Sequence, residues 1–380
     1  MVRMVRMIKK VRIIIAILAI DLSFWLYRNW MKLVLVLATA AWLVVINFPD
    51  NKVRIVFCSA GQGDETLIQR GFIQILIDGS RPGRALDCLR KHVPFFDRQI
   101  ELMVVSHPQT DHFGGLIDVI KRYKVISFVY NGLRGDSREW EEFSRAVLAE
   151  GAEIGEVVAG DEVRVGELKL KVLWPEKRMM VKDGLDGKDG NPPNNPNNPS
   201  PLNHSSVLGA AASGELNSSA VVMDFIYGDF DALFTGDIGE EEEEEIIKKL
   251  KAQKVKRLEN LNSNLSAIQP SSLFAFDVLK VAHHGSKYSS SLDFLKAVKP
   301  ALAVIEVGKN SYGHPTSEAL ARLKEVGARV MRTDRDGDVV VETDGERWDI
   351  KKDKKFLIFN FSIRQAQDPE YYRRIIFNQI

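Results

Sequence analysis

Cysteine is nearly absent from this chain: two residues, Cys58 and Cys88, among 380. That excludes a scaffold stapled by several disulfides and a cysteine-rich zinc site. Two buried free thiols are the expectation, with a single Cys58–Cys88 bridge as the alternative for a domain outside the cell. An excess of charge of either sign is absent as well. Lysine and arginine number 52 against 51 acidic residues, a formal net charge of +1. No global positive field advertises a polyanion partner, so a nucleic acid would have to be held by a local basic patch or by metal. Internal repeats are missing too. Hydrophobic residues at 45% and charged residues at 27% are ordinary for a folded chain, and this length suits one large domain or two smaller ones.

Long apolar runs are confined to the N-terminus. Residues 1–12 carry five basic side chains and no acid, and IIIAILAIDLSFWLY (13–27) and LVLVLATAAWLVVINF (33–48) follow, separated by a break at RNWMK. The second run has 16 uncharged residues, close to the roughly 20 that span a bilayer. The expectation is an uncleaved membrane anchor within residues 1–50, basic end in the cytoplasm and everything after residue 50 outside it. A signal peptide starting at Met31 and a buried N-terminal helix are the alternatives.

From residue 53 the pattern changes to short apolar strands and amphipathic helices. Strands are expected at 53–58, 66–79 with a turn at Gly71, 102–107, 125–130, a hairpin at 162–175, two strands in 218–237, then a strand and its loop in 276–286, and strands at 301–308, 328–333 and 338–343. Helices are expected at 84–92, 114–124, 137–150, 239–251, 290–298 and 316–326. Residues 182–215, rich in Gly, Pro, Asn and Ser, read as a disordered insertion, and 252–275 as a second loop. The six glutamates at 240–245 read as the solvated, acidic first turn of a helix whose last turn is lysine-rich. The whole suits an α/β domain over residues 51–350, two packed sheets with helices outside, followed by a C-terminal extension at 351–380.

Five of the seven histidines fall in three motifs, each just past an expected strand. HPQTDHFGG holds His107, Asp111 and His112, KVAHHGSKYSS holds His283 and His284, and GKNSYGHP holds His314. A fourth strand, LFTGD, ends at Asp237. Loops at strand ends are where rigid scaffolds place chemistry. Imidazole and carboxylate donors suit zinc, manganese or iron, and a carboxylate can bridge two such ions. Four such motifs in one order point to a metal centre.

Taken with MRTDRDGDV (331–339) and the opening FCSAGQGDETLIQRG and LIDGS, these motifs resemble the metallo-β-lactamase-fold domain of the ComEC competence-protein family, over roughly residues 52–345. The resemblance implies a four-layer αβ/βα sandwich with two divalent metal ions, zinc or manganese, at one edge, and hydrolysis of DNA phosphodiesters outside the cytoplasmic membrane. Carried over residue by residue, His107, Asp111, His112, Asp237 and His314 stand at ligand positions, with His283 or His284 beside them. Asp111 and His112 would hold one ion, His107 the other, and Asp237 would bridge. The nucleophile implied is a hydroxide on the metal, with Asp111, His112 and Asp237 as its catalytic neighbourhood. Asp64 and Asp78 would orient the ligands. Ser286, Lys287, Lys309, Tyr312 and Arg335 would contact the substrate phosphate. The family's multi-helix channel has no counterpart here, so a stand-alone hydrolase anchored in, or secreted across, the membrane is the expectation.

Two departures qualify the carry-over. Gln109 stands where the family has an acid and the wider superfamily a histidine, which should weaken one ion. Ser59 stands where the family has an acid. The histidine that many lactamase-fold enzymes carry before the TGD motif is replaced by LNSS, with Ser218 or Ser219 at its position, in agreement with the ComEC resemblance, while His204 lies in the insertion. A hydrolase of small esters, amides or thioesters, and a metal-poor binding protein on the same fold, are the competing readings.

Overall fold

The computed structural model describes residues 2–46, 48, 50–176, 208–211, 216–260 and 275–351. The chain divides into two units, Met1–Asp50 and Asn51–Ile380. The first is one continuous helix, α1 (Val2–Ile46), so the expected break at 28–32 does not occur. Among the described residues no helix is long and apolar enough to cross a membrane, and the expected membrane segment is therefore not supported. The uncharged run at 33–48 is only 16 residues, and Asp21, Arg28 and Lys32 interrupt what precedes it.

The second unit runs β1 (Val53–Phe57), β2 (Thr66–Arg70), β3 (Ile73–Ile77), α2 (Ala85–His92), β4 (Gln99–Val104), α3 (Thr110–Phe113), α4 (Leu116–Ile120), β5 (Lys124–Tyr130), β6 (Leu133–Arg134), α5 (Arg138–Glu150), β7 (Glu153–Glu156), β8 (Glu162–Val165), β9 (Leu168–Trp174) and β10 (Ala210–Ala211). It continues with β11 (Val222–Tyr227), β12 (Phe230–Phe234), α6 (Glu240–Asn260), β13 (Val278–Lys280), α7 (Leu292–Val298), β14 (Leu302–Ile305), α8 (Ser317–Glu325), β15 (Arg329–Arg332), α9 (Thr333–Asp336), β16 (Val339–Thr343) and β17 (Trp348–Lys351). Eight strands form one sheet in the order β17-β16-β1-β2-β3-β4-β5-β7, and seven form another in the order β15-β14-β13-β12-β11-β9-β8.

Strand periodicity explains the layering. Along β1, Val53, Ile55 and Phe57 face one way and join Phe225, Val278 and Val304 of the second sheet in a core between the sheets. Val56 faces the other way, into a core that the first sheet shares with α2, α4 and α5. The second sheet's outer face packs on α6, α7 and α8 through Leu233, Ile246, Leu279, Phe294 and Leu323. The order of layers is helices, sheet, sheet, helices, as expected. Strands β3, β4 and β5 run parallel, as do β12 to β15, so their C-terminal ends share an edge, where loops collect functional groups.

Several local expectations change. The cysteines are not free thiols: Cys58, just past β1, and Cys88 in α2 form a disulfide, their Cα atoms 5.8 Å apart. Proximity of a strand end to a helix is a tertiary fact that spacing in the sequence does not encode. The helix expected at 114–124 is the shorter α4 (Leu116–Ile120), and a further short helix, α3, forms ahead of it inside HPQTDHFGG. Helix α6 extends to Asn260, past the expected end at 251. Its glutamates are not all solvated. Glu243 is fully buried and accepts the backbone N–H groups of Ser290 and Ser291 ahead of α7, and burial raises its carboxyl to about 7. The insertion expected at 182–215, with His204, lies outside the described residues except for 208–211, and so does the extension from 352 onward.

Candidate metal centre

A four-residue helix such as α3 is too short to hold itself together. It is pinned by Phe113, whose ring meets Trp140 edge-on at 4.9 Å and lies 5.4 Å from Phe143, both on α5. Loss of that ring costs about 3–5 kcal/mol and would release the segment that carries Asp111 and His112. A second restraint comes from the loop between β1 and β2. The Asp64 N–H donates to the Asp111 carbonyl at 3.3 Å, and a Cβ on Gly63, at φ +125°, would collide with that same carbonyl oxygen.

On this frame five strand ends deliver the donors. Asp78 follows β3, in the left-handed region at φ 57°, and Ser106 and His107 follow β4. Asp237 follows β12, Lys280 ends β13, His283 and His284 follow it with φ of 49° and 54°, and Glu306 follows β14. Asp78 accepts the Ser106 N–H at 2.8 Å and its hydroxyl at 2.7 Å. With its proton committed to Asp78, the Ser106 oxygen accepts from His107 Nδ1 at 3.0 Å. His112 Nδ1 donates to Asp78 Oδ2 at 2.9 Å, and His284 Nδ1 donates to the Glu306 carbonyl at 2.8 Å. In all three histidines the Nδ1 hydrogen bond fixes the ring and leaves Nε2 as the free donor.

Those three Nε2 atoms converge. His112 Nε2 lies 3.3 Å and His284 Nε2 3.6 Å from Asp237 Oδ2. The His107 and His112 rings are 4.0 Å apart, and His107, His112 and Asp237 bring their donor atoms within 4.8 Å of one another. So do Asp111, His112 and His284, Asp64, Asp78 and His112, and Asp64, Asp237 and His284. The Nε2 atoms of His107, His112 and His284 and Oδ1 of Asp237 are buried without any hydrogen bond. Buried polar atoms are rarely left so. Four convergent ones, three imidazole nitrogens and a carboxylate, fit a divalent cation.

The electrostatics agree. Burial would raise Asp64 and Asp237, but the surrounding cations outweigh it. Lys280, His284 and His112 bring Asp64 down to about 2, and His284, His112 and Lys280 hold Asp237 well below the usual carboxylate range. Burial raises Asp78 despite His112. His112, between Asp237 and Asp78, is raised well above 6.5 against the effect of burial, and Asp237 and Asp64 raise His284 likewise. Burial lowers His107, His283 and His314.

The remaining candidates divide. Asp111 is half-buried within reach of His112 and His284. His283, with a third of its side chain exposed, places Nε2 3.9 Å from Asp237, and its ring lies 5.6 Å from that of His314, whose buried Nδ1 has no partner. Tyr312 is exposed with its ring 5.8 Å from His314. Lys309 is exposed on the same loop, and Lys287 lies over the ring of Tyr288. Ser286 is buried, and its hydroxyl accepts the Tyr288 N–H. Arg335 lines a depression with Leu320, Lys324 and Val330 whose walls include none of the histidine cluster. Ser59 bonds Asp338 and the Thr333 carbonyl instead.

Gln109 does not turn to the cluster. Its amide donates to Asn217, a residue of the LNSS segment that sequence reasoning passed over in favour of Ser218 and Ser219. Lys280 was also missed. It is buried, contacts Asp64, donates to the Gly236 carbonyl at 2.9 Å and lies 3.6 Å from Asp237. A lysine inside the apolar strand FDVLKVA was the available signal.

Residues 66–308 match the family described as Metallo-beta-lactamase superfamily. ComE operon protein 3 of Bacillus subtilis (strain 168) is 27% identical over 305 residues, covering 73% of this chain and 31% of that protein. Competence protein ComA of Neisseria gonorrhoeae is 24% identical over 295 residues, covering 76% and 32%. The chain thus spans about a third of the length of the curated relatives it matches. The metallo-beta-lactamase fold protein YhfI from Bacillus subtilis, a solved structure, matches with TM-score 0.45 at 11% identity, covering 77% of this chain and 100% of that one.

Proposed function

The chain belongs to the metallo-β-lactamase superfamily, and from that premise we propose that it is a metal-dependent hydrolase of phosphodiesters in DNA or another nucleic acid, acting outside the cytoplasm. The observation that carries the reading is the convergence of three unpartnered Nε2 atoms and Asp237 in one buried cluster. The substrate rests on the similarity to a protein named for competence and on the exposed lysines and tyrosines beside His283 and His314. The Cys58–Cys88 disulfide supports an oxidising compartment.

Each residue has a part. His107, Asp111, His112, Asp237 and His284 would hold a divalent cation, zinc or manganese, which when bound supplies Lewis-acid activation of water and of the phosphoryl oxygen. Asp78 orients two of these imidazoles at once, His112 directly and His107 through the Ser106 hydroxyl. His283 and His314, less buried than the rest, face the entering phosphate. Tyr312 and Lys309 on one loop and Lys287 and Tyr288 on the other meet the neighbouring phosphates and bases, as exposed lysines and tyrosines do on single strands.

The full chain, stripped of metal and reloaded with Mn²⁺ or Zn²⁺, is assayed on single-stranded DNA, on a bis-aryl phosphate diester and on a panel of thioesters. Cleavage of both diesters, abolished by His112→Ala, is expected. Turnover of a thioester with neither diester cleaved would sink the phosphodiesterase reading.

A further inference from the structure

We propose that the centre takes one divalent cation per chain, and that the Lys280 ammonium stands where a second would sit. This rests on the reading of the cluster as a metal centre and is independent of the substrate chosen.

Among the described residues the centre offers four groupings of three donors: His107–His112–Asp237, Asp111–His112–His284, Asp64–Asp78–His112 and Asp64–Asp237–His284. Any two of them share a residue. Where the shared residue is His112 or His284, two ions cannot be served, because Nδ1 of each is already hydrogen-bonded and only Nε2 is free. A carboxylate has two oxygens and can bridge. The pairs of groupings that share only a carboxylate, Asp237 in one case and Asp64 in the other, both include Asp64–Asp237–His284. A second ion therefore needs that grouping, and Lys280 fills it. Its Nζ contacts Asp64 Oδ2, lies 3.6 Å from Asp237 Oδ1 and donates to the Gly236 carbonyl at 2.9 Å. The ammonium sits at the end of β13 against the carboxylates of Asp64 and Asp237, so its positive charge is paired within the cluster.

The side chains next to His107 add no further charged donor. The amide of Gln109, two residues on from His107, is hydrogen-bonded to that of Asn217. Gln109 donates to Asn217 and neither carries charge, so the His107 side gains no anion beyond Asp237.

The test counts ions. Metal-free full-length chain is equilibrated with excess Mn²⁺ and separately with Zn²⁺, desalted, and measured by elemental analysis against protein concentration. One ion per wild-type chain is expected, one for Lys280→Arg, and two for Lys280→Gln, which removes the charge but keeps a polar side chain. Two ions in the wild type overturn the proposal without touching the metal reading, and that count needs no variant. A folded Lys280→Gln, checked by circular dichroism, that still holds one ion overturns the role given to Lys280. No bound ion in any form overturns the metal reading and this proposal with it.

Discussion

Two sets of histidines meet at this centre, and they are held differently. His107, His112 and His284 are buried, each with Nδ1 hydrogen-bonded to a neighbour and Nε2 aimed at the cluster. His283 and His314 are partly open to solvent, and neither Nδ1 has such a partner among the described hydrogen bonds. A fixed, dehydrated imidazole suits a resident ion, whereas a looser, wetter one suits a ligand that comes and goes. The contrast separates binding of metal from binding of substrate, and it can be broken by substitution.

His112→Ala removes the residue common to three of the four donor groupings. Bound metal falls to background in elemental analysis and activity goes with it, the largest effect of the set. Asp78→Asn leaves the five proposed ligands, His107, Asp111, His112, Asp237 and His284, in place but loosens two imidazoles. A drop in metal affinity of about 10–100-fold is expected by calorimetric titration, with Ser106→Ala at the lower end because only His107 loses its partner.

Acidity should act on the buried set next. In the ion-free chain His112 is raised well above 6.5 by Asp237 and Asp78, so it keeps its proton at neutral pH and an entering cation must displace it. Apparent metal affinity should therefore climb by up to about tenfold per pH unit through neutrality. Stability of the ion-free chain runs the other way. The raised value of His112 gives a contribution fully present below about 6.5 and lost as pH rises through the folded value. Melting temperatures of apo and loaded protein at pH 6 and 8 check both signs. His314→Ala should have the smallest effect: an unchanged ion count, a KM for single-stranded DNA raised several-fold, and kcat moved less. An equal loss of metal in His314→Ala and His112→Ala would erase the distinction between the two sets.

Much of the centre was legible in the sequence because each donor follows an apolar strand closely enough to be read as its end. Residues of HPQTDHFGG, LFTGD and the HHGS segment lie together in one cluster. Lys280 was not legible in the same way. One lysine in FDVLKVA reads equally well as an edge residue, and only the juxtaposition with Asp64, more than 200 positions earlier, gives it a partner. Asn217 was hidden for a related reason: LNSS invites attention to its hydroxyls, while the residue that reaches Gln109 is decided by the turn the segment makes. Glu243 looked like one of six solvated acids until α7 covered it. Arg335 lay in a motif that fits the resemblance, yet α9 turns it toward another depression. Local pattern reports what a strand delivers, and contacts across the sandwich decide which deliveries meet.

Gly63 carries a mechanical consequence. Its missing side chain lets the backbone ahead of Asp64 rest directly against the backbone of Asp111. The two loops thus form a strut with no compliant side chain between them, and a push on one is a push on the other. A single methyl at position 63 would act as a wedge. It would pry Asp64 and Asp111 apart together, altering the spacing of the whole cluster from a position that bears no functional group at all.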